Sequence, residues 1–319
     1  MIKLACFGNN YSLLIYLLLT NTKFRKDVIF IFENINIKVF KRSMIINIKN
    51  NKYTKEIYFL VLVKILLFLY RKNILVYGQD HLLIGNKLLA ANNFYLIEDG
   101  LMNYSINQVN QEVSKLRKIF NYLMGRNKYL GLDKGVKKIY LTGLAPIPEE
   151  IKNKVEIINL KELWNKKTEE EKEEILDIFG FNNSIIERLK NKKEVLYTQP
   201  LSEDAVITEE EKIEIYTKVI KNYKKETLVI KQHPREKTDY KKIFPDIEIL
   251  NQSFPAELFN LLGIKFEKAI TLFSTAALSN KNIEVDFYGT EVHPKILKRF
   301  GKMSNIMQNN AFIKEENDE

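Results

Sequence analysis

The sequence predicts an α/β chain built of two Rossmann-like halves that face each other across a cleft. Three observations carry that expectation. Short, almost wholly apolar runs recur along the chain, among them Val28-Ile-Phe-Ile-Phe32, Ile74-Leu-Val-Tyr77 and Leu228-Val-Ile230, as strands buried on both faces of a parallel sheet require. Segments of helical length, bounded by short polar turns, separate these runs in the alternation of a doubly wound sheet. At 319 residues the chain is long for one core, so two domains are expected.

In order, Ile2 to Phe7 reads as the first strand, Gly8-Asn-Asn10 as a turn and residues 12–20 as a helix. The strand at Val28 follows. A helix over residues 55–70 leads to the strand at Ile74, which breaks at Gly78 into Gln79-Asp80-His81. A helix over 82–91 precedes Phe94-Tyr-Leu-Ile97, and that strand ends at Glu98-Asp99-Gly100. Lys138-Ile-Tyr-Leu141 looks like the last strand of this half. Residues 1–150 therefore form the first domain. The composition then shifts, and residues 151–192 read as a helical connection whose charge run Thr168-Glu-Glu-Glu-Lys-Glu-Glu174 is a solvated helix face.

Residues 193–319 form the second domain, a βα series with strands at Glu194-Val-Leu-Tyr-Thr198, Leu228, Glu248-Ile-Leu250, Ala269-Ile-Thr-Leu-Phe273 and Val285-Asp-Phe-Tyr288. Its first helix, over 208–223, opens on Thr208 with Glu211 three residues on, a capping box. A helix over 255–262 precedes the Ala269 strand. The acidic tail from Lys314 to Glu319 reads as disordered.

Composition narrows the function. The chain is 45% hydrophobic and 28% charged, which excludes wholesale disorder. Its net charge is +10, but no aromatic-basic signature of RNA binding accompanies it, so nucleic acid is not an expected partner. Cys6, alone of its kind, lies in an apolar run and reads as a buried small hydrophobe, with no disulfide within the chain. The apolar runs Tyr11 to Leu19 and Ile57 to Tyr70 are too short to span a bilayer, the second interrupted by Lys64, and both read as buried helices. The first lacks the basic region and cleavage site of a signal peptide. Lys-rich, aromatic surfaces leave peripheral contact with a membrane open.

The chemistry gathers where strands end. In an open α/β sheet, ligands bind outside the carboxyl ends of the strands. Lys231-Gln-His-Pro-Arg235 and Leu272-Phe-Ser-Thr-Ala-Ala277 both sit at such ends. The proline disfavours helical backbone at His233 and turns the imidazole toward the crevice. Ser274 and Thr275 open a helical turn, where they serve either as an ordinary cap or as a phosphate cradle. Glu257, at the start of a helix, is either a ribose-binding carboxylate or a dipole-complementing surface charge. Asp99, in the Glu98-Asp99-Gly100 turn, and Glu203 and Asp204, in the loop after the Glu194 strand, are the candidates to deprotonate an acceptor hydroxyl. No paired His/Cys spacing suggests a metal, and no Gly-rich dinucleotide or Walker loop is present. An imidazole with two hydroxyls suits a phosphate and points to a transferase using a nucleotide-activated sugar.

Together these residues resemble the bacterial lipooligosaccharide and capsular sialyltransferases of glycosyltransferase family 52. The resemblance rests on Ile97-Glu-Asp-Gly100, Leu196-Tyr-Thr-Gln-Pro200, Lys231-Gln-His-Pro-Arg235 and Leu272-Phe-Ser-Thr-Ala-Ala-Leu278, found in family order over residues 1–300. It implies a GT-B fold, with residues 1–150 on the acceptor side and 193–319 binding the donor. It implies inverting transfer of N-acetylneuraminic acid from CMP-sialic acid to a terminal galactose of capsule or lipooligosaccharide, usually α2,3-linked, with no metal or other cofactor. By position, His233 would assist departure of the CMP phosphate beside Pro234, Ser274 and Thr275 would hold that phosphate, and Glu257 resembles a carboxylate that holds the ribose in a related family. The favoured base would be Asp204, with Glu203 beside it, while related families use the aspartate that is Asp99 here. A domain-swapped homodimer and a cytoplasmic location, at the inner face of the membrane, complete the implied picture. Two other readings stay open: a GT-B transferase or polysialyltransferase using another donor or acceptor, and a non-catalytic nucleotide-sugar or glycan-binding protein.

Overall fold

The computed structural model describes residues 1–33, 35, 37, 40–46, 52–70, 73–104, 128–278 and 283–303; the acidic tail lies outside them. Two compact units divide the chain, Met1–Ile178 and Phe179–Glu319. In the first, the described residues give strands β1 (Ile2–Phe7), β2 (Val28–Glu33), β3 (Ser43–Ile46), β4 (Ile74–Gly78), β5 (Phe94–Ile97), β6 (Val136–Leu141) and β7 (Val155–Ile157). They pair in parallel in the order β3-β2-β1-β4-β5-β6-β7.

The apolar strands earn their place by burial. Ala5, Phe7, Ile74, Val76, Phe94, Ile97 and Ile139 are wholly buried, each such side chain contributing roughly 1.5–3 kcal/mol if large. Cys6 is buried, and its thiol is pushed well above its ordinary range by that burial. Helix α1 (Asn10–Leu19) is apolar on all sides and buried from Ser12 to Leu18, with Tyr16 packed against Phe7, Phe30 and Tyr77. Asn9 caps it, its Oδ1 accepting from the Ser12 N–H at 2.8 Å.

Three details differ from the sequence reading. β3 and β7 join the sheet at its two edges, so Lys138–Leu141 is not the last strand of this half; both are short, and Met44 and Ile45 of β3 and Ile157 of β7 are exposed. The helices Leu160–Asn165 and Glu169–Ile178 fall in the first unit, where Glu174 pairs with the buried Arg25 at 2.6 Å and Lys167 donates to the Thr20 carbonyl at 2.6 Å. The helix Lys52–Tyr70 is not the buried helix expected: Phe59 and Val63 are covered, but Tyr58, Ile65, Phe68 and Leu69 are exposed.

In the second unit, β8 (Glu194–Tyr197), β9 (Leu228–Lys231), β10 (Glu248–Leu250), β11 (Lys268–Thr271) and β12 (Glu284–Phe287) form a parallel sheet in the order β10-β9-β8-β11-β12. The expected capping box is present on Glu209–Ile220, where Thr208 and Glu211 exchange hydrogen bonds. That helix lays Ile215, Tyr216, Val219 and Ile220 against Leu196, Leu228 and Ile230.

Candidate active site

In each unit the chain reverses its direction of travel across the sheet at one place, between β1 and β4 in the first and between β8 and β11 in the second. In open α/β sheets ligand crevices lie at such places, at the carboxyl ends of the strands.

In the first unit this edge carries Gly8 and Asn9 after β1, Gln79-Asp80-His81 after β4, Glu98-Asp99 after β5 and Thr142 after β6. Asp99 lies at its centre. Its Oδ1 accepts from the side-chain amides of Asn9 and Gln79. Its Oδ2 faces His81 Nε2 at 3.3 Å, and its backbone N–H donates to Asn103 Oδ1 at 2.5 Å. A carboxylate has about four lone-pair directions, and these partners occupy three, leaving one on Oδ2. Gln79 is fixed in turn by the Gly8 N–H, which donates to its Oε1 at 2.6 Å.

Glycine makes this approach possible. Gly78 has φ +139°, and a Cβ there would lie 2.0 Å from the Cys6 carbonyl oxygen. Gly100 closes the acidic turn with φ +77°, a conformation that few other residues adopt.

Burial dominates the electrostatics here. It pushes the Asp99 carboxyl up to about 7, with the charges of Asp80 and Glu98 adding to the rise and the Asn9 and Gln79 amides opposing it. Burial raises Glu98 to about 7 against hydrogen bonds from the Thr142 N–H, at 2.5 Å, and hydroxyl, at 3.2 Å. Asp80 rises to about 6, although it accepts from the N–H groups of Leu130 and Gly131 at 2.9 and 2.8 Å. Burial lowers His81 to about 4, so its ring is neutral at pH 7, with Nε2 3.3 Å from Asp99 Oδ2. An uncharged imidazole thus lies beside a carboxyl group that is half ionised near neutrality.

In the second unit, three adjacent strand ends are tied together. Glu236 accepts from the His233 N–H at 2.8 Å, from the Thr198 hydroxyl and from the Tyr240 hydroxyl at 2.8 Å, joining the end of β9 to that of β8. The next residue, Gln199, accepts from the Phe273 N–H at 3.1 Å, joining β8 to β11. His233 and Ser274 therefore stand on either side of the β8 end, on strands about 10 Å apart.

The His233 Nδ1 accepts the Arg235 N–H at 3.1 Å, which leaves the ring proton on Nε2. Burial, with the charges of Arg235 and Lys231, lowers its pKa to about 4, so His233 offers a neutral N–H donor. Pro234 is exposed at this corner. Ser274 Oγ accepts from the Ala276 N–H at 3.4 Å, and its own N–H donates to Thr271 Oγ1 at 2.8 Å. Thr275 opens the 3-10 turn Thr275–Leu278, its side chain lying outside the described part. Glu257 begins the helix Glu257–Leu261, half-buried, and its charge acts on Tyr197 at the end of β8.

The two carboxylates of the β8 loop are otherwise engaged. Asp204 accepts both guanidinium nitrogens of Arg235, at 2.6 and 2.9 Å, with both side chains more than a third exposed. Glu203 accepts from Lys212 Nζ at 2.9 Å and the Lys237 N–H at 2.6 Å. Partial burial raises its pKa, but these bonds outweigh it and hold the group below its ordinary value.

Sequence reasoning missed Asn9, Gln79, His81 and Glu236 as parts of these edges. The available signal was a glycine at the end of a strand followed at once by three polar residues, Gln79-Asp80-His81. Among the described residues, no group of three or more His, Cys, Asp or Glu side chains is placed to hold a metal ion.

Known proteins fit this architecture. An uncharacterised protein of Haemophilus influenzae is 41% identical over 307 residues, spanning 94% of this chain and 98% of its own. An α/β-galactoside α-2,3-sialyltransferase from Photobacterium phosphoreum superposes with a TM-score of 0.56 at 12% identity, over 89% of each chain. The GT-B domain of a sialyltransferase from Photobacterium damselae gives 0.54 at 12% identity, over 89% of this chain and 90% of that one. These solved structures share the fold. Two parallel α/β units of the GT-B type make up the chain, and the model of glycosyltransferase family 52 matches residues 14–296; the chain belongs to that family and is a glycosyltransferase.

Proposed function

We propose that the protein transfers N-acetylneuraminic acid from CMP-sialic acid to a terminal galactose hydroxyl of a bacterial surface glycan, with inversion and in α2,3 linkage. The Asp99 cradle carries this reading. Sialyl transfer passes through an oxocarbenium-like state with an early-leaving phosphate, so it calls for a base on the acceptor and hydrogen-bond donors on the phosphate.

Asp99 is the base of choice. A base works best when its pKa lies near the operating pH, and Asp99, at about 7, has one lone pair left for an incoming hydroxyl. Asp204 is held by the Arg235 fork and Glu203 by Lys212, which favours Asp99 over both. The acceptor hydroxyl gives its proton to Asp99 Oδ2 as its oxygen bonds to the anomeric carbon and the bond to the CMP phosphate breaks. The His233 Nε2–H donates to the departing phosphate oxygen, with Ser274 and Thr275 holding that phosphate and Glu257 the ribose hydroxyls. No metal is assigned a step.

The test is CMP release from CMP-sialic acid with a lactose-like acceptor, read by product mass. A sialylated product supports the proposal; turnover of uridine-linked sugars with none of CMP-sialic acid overturns it.

A further inference from the structure

The second unit holds a cavity of about 670 Å³, within the ~300–1,000 Å³ of most small-molecule sites. It lies at the other ends of the strands from His233 and Ser274. Glu194 opens β8, Thr227 precedes β9 and Lys268 opens β11. The edge strand β12 and the turn after the helix Glu209–Ile220 complete the wall. β8 is four residues long, about 13 Å of strand, and this length separates the cavity from the edge that carries His233.

The wall is held by its own hydrogen bonds. Tyr223 and Tyr288 pack against the core of this unit, and their hydroxyls lie 3.2 Å apart. Tyr223 donates to Asp286 Oδ2 at 2.5 Å, and Asn222 Nδ2 donates to the Tyr288 hydroxyl at 3.1 Å. Such a chain orders its members together, leaving two rings in fixed positions with polar tips. Lys268 pairs with Asp286 at 3.1 Å and stands opposite Glu194 in the strand register. Glu194 is the odd member. Its Oε2 is shielded from solvent and has no hydrogen-bond partner among the described residues. A buried acceptor left unpaired is costly, and turning the carboxyl about its soft terminal torsion would offer it a donor inside the cavity.

The lining decides the class of ligand. It sets three lysines against three acids, so it selects no net charge, unlike the phosphate-binding groups proposed at the opposite strand ends. The two tyrosines apart, every lining side chain is polar or charged, which excludes a lipid tail. A pyranose meets both conditions. It is uncharged, its C–H face stacks on an aromatic ring, and each hydroxyl donates and accepts at once, so it is satisfied by carboxylates and lysines side by side.

We propose that this cavity binds a neutral saccharide, a part of the acceptor glycan away from the reacting hydroxyl. Tyr223 and Tyr288 form the stacking platform, and Glu194 and Asp286 accept from the sugar hydroxyls. Such a site rests on the reading that the acceptor is a glycan, and its occupancy is measured without turnover.

Saturation-transfer difference NMR of the full chain with lacto-N-neotetraose, a neutral tetrasaccharide ending in galactose, tests it. The wild type should bind saturably and, because the ligand is uncharged, with little response to salt. Glu194→Leu removes the unpaired oxygen, so it should melt no lower than the wild type and bind at least fivefold more weakly. Tyr288→Ala should bind about tenfold more weakly. Both variants should release CMP from CMP-sialic acid at the wild-type rate. Absence of saturable binding by the wild type overturns the proposal. Wild-type affinity in Glu194→Leu also overturns it, whether or not Tyr288→Ala folds, because the saccharide would then sit only at the reaction site. A chain that binds the tetrasaccharide in the expected way, yet transfers no sialic acid to it, upholds the site and overturns the transfer reading alone.

Discussion

Replacing His81 by Phe should shift the pH at which the enzyme works. Phe keeps the ring and removes Nε2, which lies 3.3 Å from Asp99 Oδ2, within reach of a hydrogen bond to the ionised carboxylate. A hydrogen bond to a charged acceptor contributes about 1.5–3 kcal/mol, and it favours the ionised carboxylate. At 1.36 kcal/mol per pKa unit, its loss raises Asp99 from about 7 by roughly one to two units. The sign follows directly: the base must be ionised, so the acid limb of kcat/KM moves to higher pH. At pH 7 about half of the wild-type carboxylate is ionised, against roughly a tenth to a hundredth in the variant, so kcat/KM falls about 5- to 50-fold. Activity should return as the pH is raised toward 9 to 10, and the affinity for CMP should not change. The assay is the pH profile of sialyl transfer at saturating donor. A loss of equal size at every pH refutes the reasoning, since it would mean that His81 does not act through the Asp99 pKa. A variant as inactive as Asp99→Asn at high pH would make the imidazole itself the base.

Further outcomes follow from the same geometry. Asp99→Asn should lower kcat by about 10²–10⁴-fold, while Asp204→Asn, which breaks an exposed pair with Arg235, should cost less than about 1 kcal/mol of stability and leave turnover within a few-fold in steady-state assays. His233→Ala should reduce kcat by roughly 10²–10³-fold with a smaller change in donor KM, as expected for a donor to developing charge on the phosphate. Glu236→Ala leaves the donors of His233, Thr198 and Tyr240 without their acceptor, so urea unfolding should show a loss of about 3 kcal/mol or more. The melting temperature of the wild type should fall relative to that of Asp99→Asn as pH rises from about 5 to 8. Asp99 keeps its proton to about 7 when folded but only to about 4 when unfolded, so the stability it contributes is lost as pH rises through 7. His81 and His233, lowered to about 4, and Lys231, lowered to about 7, act in the opposite sense in both proteins, which is why the difference between them is the quantity to measure.

Much of this could be seen in the sequence because parallel sheets write themselves as apolar runs. Phe94-Tyr-Leu-Ile97 and Leu228-Val-Ile230 could be read as strands, and the polar residues that follow them as the functional edge. β7 escaped because Val155-Glu-Ile157 is too short to form such a run, and β3 because Met44-Ile-Ile46 is only three apolar residues, with Met44 and Ile45 exposed at an edge. The His-Pro corner was visible because proline constrains the residue before it. His81 was not, since its meaning comes from Asp99, 18 positions later and one strand over. The choice among Asp99, Glu203 and Asp204 was equally out of reach: all three are acids in polar loops, and only their neighbours, buried amides in one case and cations in the others, separate them. The helix Lys52–Tyr70 was misjudged for a plainer reason. Apolar sequence reports a need for cover, without saying what provides it.

Asn9 joins two roles that are usually kept apart. One end of its amide holds the first turn of α1 through the Ser12 N–H, and the other holds the carboxylate of Asp99. Serine at this position would keep the first contact and lose the second. Aspartate would keep the cap yet set a second negative charge against Asp99 and weaken it as a proton donor to solvent. The start of the helix and the ionisation of Asp99 therefore cannot be adjusted independently. Warming that loosens the first turn of α1 should consequently be visible as a drift in the ionisation of Asp99 well before the chain as a whole melts.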